Sequence, residues 1–101
     1  PMETTDKKLK AHLFVCTSCT YRKPDQTDSL PEEAAVLRKN IKNKAIETHG
    51  RGVVRVSSVQ CLGECEHGIA TGLYPTGEWN LGVRPEDETK LLSKIDDLVN
   101  N

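Results

Sequence analysis

The sequence predicts an α/β domain in which a mixed four-stranded sheet packs with two helices, in the order strand, helix, strand, strand, strand, helix. Three observations predict this fold class. Four short apolar or β-branched runs have the length of strands, and two longer segments repeat apolar residues at intervals of three and four. The third observation is a turn containing proline and glycine between the last two strands. A strand–helix–strand unit is expected to be parallel, whereas a hairpin is antiparallel, so the predicted sheet is mixed.

The first half of the chain contains the first strand and a long helix. His12-Leu13-Phe14-Val15 is too short for a helix and indicates a buried strand. Residues 20–30 are polar and lack periodicity, which is typical of a loop. Ser29 and Pro31 predict a helix start, and Gly50 can take the left-handed position that ends it. The apolar face of this helix consists of Ala34, Leu37, Ile41 and Ala45.

The second half contains three strands and a terminal helix. Residues 53–59 are rich in valine and indicate a strand. Residues 69–74 and 78–83 flank Pro75-Thr76-Gly77, which predicts a hairpin. Pro85, followed by three acidic residues, predicts the start of the last helix. The apolar stripe of that helix consists of Leu91, Leu92, Ile95, Leu98 and Val99.

Length and composition indicate a single domain over residues 12–101, preceded by a flexible N-terminal tail over residues 1–11. Only four of the 101 residues are aromatic, so the predicted core is thin and a bound metal would help to stabilise it. The net charge is −1 and the basic residues are scattered, which argues against a nucleic-acid partner. No apolar run predicts a signal peptide or a membrane span, so a cytoplasmic location and no membrane partner are expected.

Four cysteines stand as two tight pairs, Cys16-Thr17-Ser18-Cys19 and Cys61-Leu62-Gly63-Glu64-Cys65. Each pair follows a strand of the predicted strand–helix–strand unit. Because the carboxyl ends of parallel strands meet at one sheet edge, the two pairs are expected to converge there. Four thiolates are a complete ligand shell for zinc or for an iron–sulfur cluster. The sequence therefore predicts that Cys16, Cys19, Cys61 and Cys65 form one metal site.

Three chemistries remain open for these thiolates. A [2Fe-2S] cluster would use two thiolates on each iron and support one-electron transfer, whereas zinc would form a closed structural site without redox function. A dithiol–disulfide oxidoreductase would use Cys16 and Cys19 alone. The first predicted helix starts only near Pro31, so the thiolate activation expected at a helix N-terminus is absent or weak. The segment before the third strand also lacks the proline that such oxidoreductases carry there.

The two cysteine pairs, followed by Gly77-Glu78-Trp79 and a terminal helix, resemble a family of small bacterial ferredoxin-like, predicted metal-binding proteins. That family is similar to the thioredoxin-like [2Fe-2S] ferredoxins and to the related small subunit of NADH-dehydrogenase-type and hydrogenase complexes. The resemblance spans residues 12–98. It implies a thioredoxin-like ferredoxin fold, a [2Fe-2S] cluster on the four cysteines, and an electron carrier rather than an enzyme. Those ferredoxins usually have more residues between their first two ligands than the two found here, so zinc stays open as the alternative.

Other polar residues near the cysteines have simpler explanations. His67 lies two residues beyond Cys65, but four cysteines already complete a ligand shell, so an outer position is expected for its side chain. Glu64 and Glu66 could make the rim of the site negative and favour a basic redox partner protein, although solvated loop charges are the ordinary explanation. The sequence contains no apparent catalytic triad, phosphate loop or paired catalytic carboxylates. It gives neither the identity of a redox partner nor the oligomeric state.

Overall fold

A computed structural model describes residues 9–18, 20–60 and 68–100, and it confirms the predicted α/β fold. Four strands and two α-helices follow one another in the predicted order, but a 3₁₀ helix over Pro85–Asp87 stands where the last α-helix was predicted to start. Their bounds are β1 (Ala11–Cys16), α1 (Pro31–His49), β2 (Val54–Val59), β3 (Ile69–Tyr74), β4 (Glu78–Val83) and α2 (Glu88–Asn100). Residues 1–8 lie outside the described part of the chain, so the predicted flexible tail and the domain boundary after residue 11 stay predictions.

The sheet is mixed, with the strand order β2-β1-β3-β4. β1 pairs in parallel with β2 and antiparallel with β3, and β3 pairs antiparallel with β4. The predicted hairpin is confirmed at both of its strands, and Gly77 closes its turn with a positive φ of 73° and a hydrogen bond from its N–H to the Leu73 carbonyl. β1 starts at Ala11, one residue before the predicted apolar run, and β2 starts at Val54, one residue after the start of the predicted strand. These differences are the usual uncertainty of strand ends.

Helix α1 begins at Pro31 and ends at His49, as its sequence predicts. Its first turn is stabilised by Glu33, whose carboxylate accepts a hydrogen bond of 2.8 Å from the Leu30 N–H. Leu30 is therefore the N-terminal cap, and Ser29, which the sequence favoured as the start signal, lies one residue further out. Gly50 ends the helix with a φ of 95°, but its ψ of 156° is extended rather than left-handed helical. A positive φ at this position still favours glycine.

The hydrophobic core lies between the sheet and the two helices, which cover the same face. α1 packs mainly against β2, α2 packs against β1, and the helices contact each other. The predicted apolar face of α1 is buried in full, and Leu91 and Ile95 are the buried residues of α2. The strand residues that complete the hydrophobic core are Ala11, Leu13, Val15, Cys16, Val54, Val56, Ile69, Ala70, Leu73 and Val83. None of the described helices is both long and apolar enough to cross a bilayer.

Candidate metal centre

The first two strands end side by side at one edge of the sheet. In the parallel register, Cys16 at the end of β1 pairs with Val59 at the end of β2. The pairing continues one residue further, because the Thr17 N–H donates to the Val59 carbonyl at 3.0 Å. The Cys16 side chain is fully buried, and its Sγ lies 3.5 Å from the carbonyl oxygen of Gln60. Gln60 is the residue to which Cys61 is bonded, so the segments that carry the two cysteine pairs meet here.

Of the four predicted ligands, the structure describes Cys16 alone. Cys19, Cys61 and Cys65 lie outside the described residues, and so do Glu64, Glu66 and His67. Within the described ranges there is no group of three or more His, Cys, Asp or Glu side chains that could hold a metal ion. The parallel strands and their common end are therefore observed, while the predicted four-cysteine site and its alternatives stay predictions.

The two hydroxyl residues between the first two cysteines have different surroundings. Thr17 directs its hydroxyl to the Val59 carbonyl at 3.4 Å, so this donor helps to join the two strand ends. Ser18 is exposed to solvent. The sequence could not distinguish these roles, because the partner of Thr17 is 42 residues away along the chain.

The loop after the first cysteine pair is held by polar contacts, and Tyr21 also packs against the hydrophobic core. Tyr21 and Ser29 are joined by two hydrogen bonds, from the Ser29 N–H to the Tyr21 carbonyl at 2.8 Å and from the Tyr21 N–H to the Ser29 hydroxyl at 2.9 Å. The Tyr21 hydroxyl donates to Glu33 at 3.0 Å, and Lys23 lies 3.2 Å from the same carboxylate. Residues 21–29 are thereby fastened to the first turn of α1, which restrains the chain on the carboxyl side of the first pair.

These contacts change the acidities of their groups. The backbone N–H of Leu30 holds the pKa of the Glu33 carboxyl below its ordinary value, and Lys23 and Tyr21 add to the effect. Burial raises the pKa of the Tyr21 hydroxyl, and its hydrogen bond to Glu33 raises it further. Glu33 is therefore ionised near neutral pH. Its negative charge is favourable at the N-terminus of α1, and it accepts the hydrogen bond that the Tyr21 hydroxyl donates.

The sheet face opposite the helices carries aromatic side chains that the sequence had not grouped together. His12 stacks on Phe14 at 4.0 Å between ring centroids, and Phe14 meets Tyr74 edge to face at 5.8 Å. With Val59, Gly72 and Trp79 these residues line an open groove of about 540 Å³. Trp79 is 45% exposed and Tyr74 is 41% exposed, so the sole tryptophan packs on the sheet face and not in the core. Cys16 follows Phe14 by two positions and therefore shares this face of β1.

His12 gives this face a predicted pH dependence. Burial lowers the pKa of His12 from its ordinary 6.5, and the nearby Arg55 lowers it further. The unfolded chain therefore binds this proton more readily than the folded chain, so stability should fall as the pH drops through about 6.5 and below. Between about pH 7.5 and pH 5, the melting temperature should fall less for His12→Gln than for the unchanged protein. His49 and His67 are common to both proteins and cancel in the comparison, so equal pH slopes would contradict the assignment.

Two further residues have contacts that the sequence did not indicate. His49, at the end of α1, places its Nε2 2.6 Å from Asp96 Oδ1 and so joins the two helices. Gly68, the first described residue after the second pair, has a φ of 86° and passes so close to Gly82 that a Cβ would lie 3.0 Å from the Gly82 Cα.

The described part of the chain also bears on the dithiol alternative. α1 begins at Pro31, twelve residues after Cys19 (31 − 19), so the first pair does not stand at the N-terminus of this helix. The activation that a helix N-terminus gives to an attacking thiolate is therefore not available from α1. This agrees with the sequence argument against an oxidoreductase of that type.

The chain matches one family model and is similar to a curated ferredoxin. The family model described as "Protein of unknown function (DUF1636)" matches residues 13–97. A curated relative, "Ferredoxin, 2Fe-2S" of Clostridium pasteurianum, is 25% identical over 83 residues, which cover 82% of this chain and 81% of the relative.

Solved structures share the fold. A thioredoxin-like [2Fe-2S] ferredoxin of Aquifex aeolicus superposes with a TM-score of 0.60 at 22% identity, covering 86% of this chain and 85% of that one. A second solved structure of such a ferredoxin from the same organism gives a TM-score of 0.59 at 22% identity, covering 86% and 80%. The expected thioredoxin-like ferredoxin fold is thus confirmed, and the chain belongs to the family described as protein of unknown function DUF1636.

Proposed function

We propose that this protein is a small iron–sulfur protein that holds one [2Fe-2S] cluster on Cys16, Cys19, Cys61 and Cys65 and passes single electrons between redox partner proteins. The observation that carries the proposal is the common end of β1 and β2, where the Cys16 Sγ lies 3.5 Å from the carbonyl of Gln60. Because Cys61 follows Gln60 directly in the sequence, this contact supports a site that the two cysteine pairs share. The similarity to 2Fe-2S ferredoxins supports an electron carrier over an enzyme.

The donor set fits this cofactor. Four thiolates are the usual ligands of a [2Fe-2S] cluster, which supplies one-electron transfer when bound. The chain's own contribution is a rigid support, since the Thr17–Val59 hydrogen bonds hold the strand ends together and the Tyr21–Ser29 pair restrains the following loop. Burial of the Cys16 side chain excludes water from this ligand, which protects the metal–sulfur bond and influences the reduction potential. A cytoplasmic location is part of the proposal, because reducing conditions keep these thiols available.

The test is reversible reduction of protein purified without air. We expect a brown protein with visible charge-transfer bands and with iron and acid-labile sulfide near two each per chain. Dithionite should bleach the bands, air should restore them, and the reduced form should give the paramagnetic signal of a one-electron-reduced two-iron centre. The electron-carrier proposal would be wrong if the protein were colourless with one equivalent of zinc, which would establish the structural four-cysteine zinc site instead.

A further inference from the structure

A groove with positively charged walls runs along one edge of the sheet. It has a volume of about 480 Å³ and lies between α1 and β2, which is an edge strand because β1 is its one partner among the described strands. Residues 54–58 of β2 line it one after another, together with Arg38, Lys42 and Ile46 of α1 and Arg51 of the turn between them. Side chains of a strand alternate between its two faces, so a groove lined by five consecutive residues follows the backbone edge itself. We call it the basic edge groove.

The outward backbone groups of β2 can be assigned from the contacts at its two ends. The carbonyls of Val53 and Val59 accept hydrogen bonds from Lys10 and Thr17, so the odd-numbered residues face β1. By the alternation of a strand, Val56 and Ser58 then direct their N–H and C=O groups into the groove. Among the contacts between described residues, the Val56 carbonyl accepts a long hydrogen bond of 3.5 Å from the Arg38 guanidinium. This edge therefore offers main-chain donors and acceptors to another strand.

The charges of the groove lack carboxylate partners in the described part of the molecule. Arg38, Lys42, Arg51 and Arg55 line it, no acidic residue does, and none of the four is among the ion pairs between described residues. By contrast, Lys44 is paired with Glu88, and Lys94 with Glu78. In a chain of net charge −1, this concentration of positive charge, which has no carboxylate partner among the described residues, favours an anionic occupant.

We propose that the basic edge groove binds an acidic, extended peptide segment of a partner protein, which adds to β2 as a further strand. Main-chain hydrogen bonds to Val56 and Ser58 would hold the peptide, in the mode by which exposed sheet edges bind strands. Arg38 and Lys42 are four residues apart on a helix, which separates them by about 6 Å along its axis. Alternate residues of a strand are about 6.6 Å apart, so carboxylates at every second peptide position match these two cations. Arg55 would contact the peptide from the other face of the sheet.

This proposal is independent of the cluster, and its test uses the full chain. Fluorescence anisotropy should show saturable binding of a labelled peptide in which glutamate and valine alternate. Two control peptides should each bind at least about fivefold more weakly. One has the same composition with its glutamates in a single block, so the register of charges is lost. The other is the alternating peptide with methylated backbone nitrogens, which cannot form the main-chain hydrogen bonds. On binding, the amides of Val56 and Ser58 should become protected from hydrogen exchange.

A pair of charge-matched double variants provides the control. The double variant Lys42→Gln, Arg55→Gln removes two groove cations and should lower the affinity for the alternating peptide by roughly tenfold. Lys39→Gln with Lys90→Gln removes two exposed cations outside the groove and should change the affinity by less than about twofold. Thermal melts should show that both variants fold, since all four side chains are exposed.

Three results would overturn the proposal. One is the absence of saturable binding at about 1 mM alternating peptide, and a second is equal weakening by the two double variants. The third is that the block peptide, or a single-stranded oligonucleotide of equal charge, binds as tightly as the alternating peptide or more tightly. The groove would then be a general binding surface for polyanions. In the last two cases the positive charge would serve only to keep an exposed edge strand from pairing with other chains.

Discussion

Cys16→Ser should remove most of the metal from the protein while leaving the fold in place. Cys16 is the fully buried cysteine at the point where β1 and β2 end together, so a hydroxyl there replaces a soft ligand in the centre of the proposed site. A serine hydroxyl is a much poorer ligand for iron or zinc than a thiolate, and we expect occupancy to fall by more than about tenfold. Metal analysis and visible absorption measure this loss directly.

The same substitution should lower thermal stability, because binding to the native state contributes free energy of folding. The melting temperature of Cys16→Ser should match that of the unchanged protein after its metal is removed. It should lie more than about 10 °C below that of the loaded protein.

Two neighbouring substitutions serve as controls. Ser18→Ala changes an exposed residue between the first two cysteines, and His67→Ala removes the histidine nearest the second pair. Both should retain the cofactor, with His67→Ala shifting at most the reduction potential. Full occupancy in Cys16→Ser would remove Cys16 from the ligand set, and loss of the cofactor in His67→Ala would indicate a mixed cysteine–histidine shell.

The sequence predicted the elements whose signals are local. The hairpin of β3 and β4 was predicted with its observed limits, because Pro75 and Gly77 separate two runs of strand-forming residues. Helix α1 was predicted because its apolar residues repeat at helical intervals and Gly50 follows at its end. The parallel pairing of β1 with β2 followed from a general rule about strand–helix–strand units.

Features made by residues distant in sequence could not be predicted in the same way. The aromatic face joins His12 and Phe14 to Tyr74 and Trp79, and these two pairs are brought together only by the register of β1, β3 and β4. The basic edge groove combines cations spread over 18 residues of a chain with almost balanced charge, so a search for basic runs does not find it. Of the predicted metal site, the placement of Cys16 at a shared strand end is observed, while the other three ligands remain inferred from spacing and resemblance.

Leu13→Ala should produce the largest loss of stability from a single core substitution. Leu13 is fully buried in β1, next to Val56 on one neighbouring strand and Leu73 on the other, on the face covered by the helices. Removing a buried leucine side chain loses its transfer free energy and leaves a cavity, which together cost about 3 kcal/mol. For a domain of this size, the melting temperature should fall by about 10–20 °C. Denaturant unfolding at 25 °C measures the free energy directly.

Leu81→Ala is the matched control, because the same change is made on β4 at a leucine that is 45% exposed. The free energy of unfolding should fall by less than about 1 kcal/mol in this variant, since much of the Leu81 side chain already contacts water. Native domains are typically stable by roughly 5–15 kcal/mol, so Leu13→Ala should still be folded at 25 °C and retain its metal, unlike Cys16→Ser. A loss as small as that of Leu81→Ala would show that Leu13 does not lie at the centre of the core. Loss of metal from folded Leu13→Ala would instead show that core packing beneath β1 also positions the ligand three residues further along the strand.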